Sequence, residues 1–388
     1  MKKVILIVGA LIILPFIINI PDETLSNDAQ KLLDSNAVPM EPQSGNGFFA
    51  VLGFEAPENK DIDTVGREIS LAYSEARDHI PPRLEFSPQE FVGAKAEMPD
   101  RGQVSECFPE KKQACLDFYA EKGDQLDRLR EGNKLVLVRY KRLNDYVFFQ
   151  DTTKPAPWAP VGRLEGPIFV GHLLTVANAA ILFNQGRHSE ALRILESNIL
   201  LWRKLLAGAS DLPGKTYAFL ALRLNYSLLE EMLDKLSAGE ASVIMNRDVF
   251  APLTPEEIST DVVWNRHFQA LAWSLSNNRW PFESSQEADM SFLERWFCKS
   301  NATLNDAYVM FHLLEKLSTV EPDRVENERE AFSERLGEIA KLSPYSLYNP
   351  LGKNFISSSF DDRAGVYWNR DIHSLDRLIS RTRGKVES

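Results

Sequence analysis

Residues 177–206 read ANAAILFNQGRHSEALRILESNILLWRKLL. Small and apolar side chains recur there at helical spacing, stop at Gly186, and resume at Ala191, Leu192 and Leu195. The stretch predicts two helices hinged at Gly186, because glycine takes the left-handed conformation that closes a helix C-terminus. His188 or Ser189 starts the second helix, and Ala191 lets the two approach closely. Further helices are predicted near 168–184, 189–207, 213–236, 255–277, 287–317 and 323–342. The run TPEE (Thr254–Glu257) is a capping box with proline at the first helical position, a clear start signal. Alternating β-branched runs are scarce. The expected fold class is therefore mainly α: a multi-helix bundle or an irregular array of helical hairpins, with an N-terminal transmembrane helix and little or no sheet.

The N-terminal half extends the pattern. Val65, Ile69 and Ala76 predict a helix over 63–79, and SPQE (Ser87–Glu90) is a second capping box. Leu126, Leu129, Val136, Tyr140, Leu143 and Val147 predict one long helix. Phe48–Phe54 is a short apolar run that reads equally as strand or helix. Between the halves, Asp151–Pro167 carries four prolines and two glycines and reads as a crossover or boundary. The expected organisation is a membrane anchor or signal sequence (1–21), a tether (22–47), an N-terminal helical region (48–150), a Pro-rich crossover (151–167), a helical domain (168–342) and an irregular C-terminal section (343–388). That last section would hold one short helix near 371–381.

The N-terminus suggests a compartment. Lys2 and Lys3 precede an apolar run from Val4 to Ile20. A run of about 17 residues sits at the short edge of what crosses a bilayer. No small residues stand where a signal peptidase would want them, which favours an uncleaved anchor, whereas Pro15 suits a cleaved leader. The lysines hold the N-terminus inside, so the bulk of the chain is expected outside the cytoplasm. The expectation is a single-pass protein of the bacterial inner membrane, facing the periplasm. With net charge −11 and no dense basic run, nucleic acid is not an expected partner.

Cys107 and Cys115 flank Pro109, so they are not on one continuous helix, and a loop closed onto the next helix could pair them. A structural disulfide is the expected outcome and Cys298 is left as a buried thiol. The histidines lack zinc spacing, so neither metal nor cofactor is expected. His312, in the apolar stretch YVMFHLLEKL, reads as a core histidine. Nucleophile elbows, phosphate loops and calcium loops are absent from the sequence. Four of the seven tryptophans crowd into 264–296. Trp273, Trp280 and Trp296 are the candidate binding residues, because a row of exposed aromatics can form a partner groove. Glu283, Glu287, Asp289 and Glu294 lie beside them as candidate acids, since glycan hydrolysis needs paired carboxylates.

Ala180, Phe183, Gly186, Ala191, Leu192 and Leu195 fall where tetratricopeptide repeats place small and apolar residues, so residues 177–206 resemble one hairpin of that family. The likeness covers about 30 residues and does not recur one period on. The whole chain resembles single-span proteins of the bacterial envelope, a likeness that implies a location and no activity. The resulting expectation is a non-enzymatic scaffold or accessory factor, binding another envelope protein through a helical surface in 168–342. Two alternatives stay open: a peptidoglycan hydrolase using acids near 283–294, and a binder of a small apolar ligand between helices.

Overall fold

A computed structural model describes residues 13–34, 44–78, 107, 114–155, 164, 166–236, 247–279, 290–341 and 347–387. The predicted SPQE box, Trp280, Glu283, Glu287 and Asp289 lie outside these residues, as does much of the Pro-rich crossover. In chain order the helices are α1 (Asn27–Asp34), α2 (Phe48–Leu52), α3 (Ile62–Asp78), α4 (Cys115–Glu121), α5 (Gly123–Gly132), α6 (Lys134–Arg142), α7 (Pro167–Asn184), α8 (His188–Gly208), α9 (Leu212–Leu233), α10 (Pro255–Ile258), α11 (Asp261–Ser276), α12 (Phe292–Phe297), α13 (Ser300–Thr319), α14 (Val325–Ala340), α15 (Pro350–Ser359) and α16 (Arg363–Glu387). The described residues hold no named strand, and one isolated bridge pairs Asn46 with Phe148. The protein is mainly helical.

The α7–α8 hairpin forms as the glycine requires. Gly186 has φ +80°. Its N–H donates to the Phe183 carbonyl at 3.0 Å, and that of Arg187 donates to Leu182 at 3.0 Å, the paired bonds of a Schellman cap. Ala191 is fully buried. Helix α7 is apolar on all sides and 13 of its 18 residues are buried, which is how a central core helix reads. Among the described residues it alone is long and apolar enough to cross a membrane, but 78% of that window is buried inside the protein. Of the N-terminal apolar run, residues 13–18 are helical, too short a piece to span a bilayer by itself.

Two apolar cores form. The first gathers α2 to α10 around α7 and α8 and takes Trp368, Ile372, Leu375 and Ile379 from α16. The second lies among α11, α13, α14 and α15, with Ala29 of α1 fully buried in it. Close approach is enforced in the first core at Gly66, where a Cβ would stand 1.8 Å from the Phe49 carbonyl oxygen.

Several sequence expectations are corrected. The chain does not change cores at 151–167: Tyr119 and Tyr140 before it share one core with α7 after it. Asp151 is buried there, bonded to Arg266 at 2.8 Å and accepting from Ser210 at 2.9 Å. The stretch 22–47 is not a free tether over 22–34. Asp22 accepts from the N–H groups of Asn301 and Ala302 at the start of α13, and Asn305 bonds Ser26, Glu23 and Thr24. These groups satisfy donors that a helix N-terminus leaves orphaned. Among its described residues the C-terminal section is mostly helical, with α15 and the 25-residue α16 in place of one short helix. Three predicted helices are each two: 126–147 breaks at Asn133, 255–277 at Ser259–Thr260, and 287–317 at Cys298–Lys299.

Candidate binding cleft

Thr260, the residue that leads into α11, is fully buried and its hydroxyl meets that of Ser318 at 2.5 Å. This bond fixes the start of α11 against the end of α13. Helix α1 lies across the pair, its register held by the bonds at residues 22–26 and by Gln269 donating to the Leu32 carbonyl at 3.5 Å. Between the three helices opens a cleft of about 340 Å³, within the range of ligand sites.

Its apolar wall is Trp264, Tyr308 and Phe311. Trp264 and Phe311 stack at 6.0 Å, and Phe360 closes on Phe311 edge-on at 4.8 Å. Trp264 is 5% exposed, and its indole Nε1 has no hydrogen-bond partner among the described residues. A buried donor left unpaired costs about 1–3 kcal/mol. Around this wall stand Asp28 and Lys31 from α1, Asp261 and Asn265 from α11, and His312 and Glu315 from α13. Asn265 donates to Asp261 at 2.8 Å. The exposed Lys31 ammonium sits 3.0 Å from Asp28. Burial raises the Glu315 pKa, the Asp261 charge raises it further, and His312 opposes both. Asp28, Asp261 and Glu315 thus line the cleft together with Lys31, beside its aromatic wall.

His312 is not in the core. Its side chain is exposed, because Phe311 and Leu314 already occupy the buried face of α13 and the intervening position turns outward. Of the predicted tryptophans, Trp273 is half-buried on α11 and Trp296 half-buried on α12. Neither lines the cleft. The Trp296 indole donates to the Phe16 carbonyl at 3.1 Å. Glu294 is the reciprocal member of a capping box with Ser291, at 2.7 and 3.3 Å.

Cys107 and Cys115 are paired as a disulfide, with Cα atoms 5.5 Å apart. Cys115 opens α4, and the Glu231 carboxylate accepts from the N–H groups of Cys115 and Leu116. Cys298 is free and buried, and burial pushes its thiol up to about 11. No group of His, Cys, Asp and Glu among the described residues could hold a metal ion.

Two buried polar networks carry no sequence signature. Asn198 accepts from the Tyr140 hydroxyl at 2.5 Å and its amide reaches His172 and Asn225, while the Trp202 indole donates to Tyr140 at 2.7 Å. Arg203 forms a bidentate pair with Glu257 at 2.6 and 2.7 Å and also donates to the Ala251 and Pro252 carbonyls.

Comparison of the chain with protein-family models, with curated proteins and with solved structures finds no match.

Proposed function

We propose that this chain is a membrane-anchored accessory protein of the bacterial envelope, non-enzymatic, that binds a protein partner through the cleft between α1, α11 and α13. Lys2, Lys3 and the Val4–Ile20 run support the anchor and its orientation. The observation that carries the binding reading is the stacked Trp264–Phe311 wall beside Asp28, Asp261 and Glu315. An aromatic face attracts a cation, and carboxylates hold an ammonium or guanidinium by charge-assisted hydrogen bonds. The cleft therefore suits a lysine or arginine side chain presented by the partner. The test places a photo-crosslinking amino acid at Asn265 in living cells. Expected is one captured protein whose crosslinked peptide carries a basic residue at the attachment point, with capture lost in Asp261→Asn/Glu315→Gln. Capture of copies of this chain alone would sink the reading.

One observation favours a second reading, glycan hydrolysis. Burial first, and the Asp261 charge second, raise the Glu315 pKa, and a carboxyl with a raised pKa suits a general acid. Release of soluble fragments from purified peptidoglycan, abolished in Glu315→Gln, would select it over the accessory role.

A further inference from the structure

We propose that the body of the protein rests directly on the bilayer through an apolar patch made by α12 and the end of the N-terminal run. The inference depends on the single-span reading above. Phe292 is 65% exposed and Leu293 55%, on a helix with no buried residue. Ile17 and Ile20 of the N-terminal run are exposed as well, at 55% and 64%. Contiguous exposed apolar groups mark an interaction surface.

The two sets form one surface because they are bolted together. Phe16 meets Phe297 edge-on at 5.1 Å, and the Trp296 indole donates to the Phe16 carbonyl. Behind them Asn19, fully buried, donates to the Leu347 carbonyl at 2.5 Å and accepts from the Asn349 N–H at 2.8 Å.

Chain direction identifies the occupant. The residues before Phe16 continue the apolar run back to Val4. Phe16 lies four residues inside the end of that run, roughly 6 Å at 1.5 Å per residue. A run that enters hydrocarbon carries α12 to the depth where acyl chains give way to headgroups. The side chains there suit that depth: an indole with its N–H bonded, Lys299 5.6 Å over its ring, and an exposed Arg295. The net charge of −11 disfavours attraction to anionic lipid, so apolar burial drives the contact.

The experiment uses the full chain in phosphatidylcholine vesicles, with an environment-sensitive fluorophore on Leu293→Cys or, separately, on Phe292→Cys. A control label sits on Gln185→Cys at the exposed α7–α8 turn. Lipids with a nitroxide high on the acyl chain are the quencher, and carbonate extraction scores the anchor in parallel. Expected is several-fold stronger quenching at 293 and 292 than at 185. A carbonate-resistant chain whose 292 and 293 labels stay unquenched overturns the patch and leaves the anchor standing. A blue-shifted but unquenched label means that protein, such as a second copy, covers the face, and overturns it too. Quenched labels on a carbonate-soluble chain remove the anchor and overturn the proposal with it, because the run that sets the depth of α12 is then not held in hydrocarbon. Unquenched labels on a carbonate-soluble chain remove both.

Discussion

His172 is sealed in the first core, with Nδ1 facing the Asn198 amide at 3.0 Å and Nε2 without a partner among the described residues. Burial pushes its pKa down to about 3. The unfolded chain, with a histidine pKa near 6.5, binds more protons below that pH than the folded chain does. Stability is therefore full above about pH 6.5 and falls as pH drops toward 3, by up to about 1.4 kcal/mol per pH unit for this one group. His267, whose pKa burial also lowers, contributes in the same direction. The discriminating measurement is urea unfolding of wild type and His172→Gln at pH 7.5 and 5.5. The wild type should lose more on acidification than the variant, and equal losses would remove His172 from the account. At the Cys107–Cys115 disulfide, replacing both cysteines by serine should cost about 2.5 kcal/mol on the loop-entropy model, read as a lower urea midpoint. A close pair with a proline inside the loop made that bond legible in the sequence. The seal on His172 was not, because only helix stacking decides which side chains lose water. The cleft was hidden for the same reason. Asp261 and Trp264 on one helix line the cleft with His312 and Glu315 on another, and spacing along a chain says nothing about contact between helices, whereas the tryptophans and acids near 273–296 stand out in the sequence by closeness alone.

At the scale of elements, the helical period was readable and the breaks were not. Leu126 and Val136 belong to the same core although α5 and α6 are separate helices, parted at Asn133, whose side chain bonds the Leu129 carbonyl at 2.7 Å. A kink that keeps both pieces on one core preserves the period across it. The opposite happened at the C-terminus. Trp368, Ile372, Leu375 and Ile379 step by four, three and four along one face of α16, all buried. Turn residues before them made the region look irregular, yet Pro350 sits in the first turn of α15, where a proline costs no hydrogen bond. The contact of α8 with α10 makes its own prediction. Arg203 and Glu257 are 9% and 4% exposed, so Glu257→Gln leaves a buried guanidinium uncompensated and should cost about 3–5 kcal/mol. The double replacement Arg203→Met/Glu257→Met should recover most of that loss in chemical unfolding. A double variant as unstable as the single would show that the helix contact, not the charge, was broken.

For the whole molecule, α16 ties the two cores together, giving Trp368, Ile372, Leu375 and Ile379 to the first and packing Ala364 and Val366 against the second. Trp368 donates to the Ile258 carbonyl at 2.8 Å and Asn369 to Val320 at 2.6 Å, while Arg381 and Lys385 pair with Glu230 of α9. Gly365 lies so close to α13 that a Cβ would be 2.9 Å from the Leu317 Cβ. The two cores should therefore unfold together. Trp368→Ala, a loss of about 3–5 kcal/mol, should lower probes in α8 and in α13 by the same amount; a shift confined to one would show that the cores are independent.

The lock between Asn19 and Asn349 joins residues 330 positions apart. On a ribosome adding about 5–20 residues per second, the second of them follows the first by roughly 15–70 s. Throughout that interval Asn19 has no partner at 347–349, and until residue 300 is made α13 is not there to hold Asp22 and Ser26. A nascent chain arrested before residue 349 holds its beginning open, and only synthesis past that residue lets Asn19 find its seat.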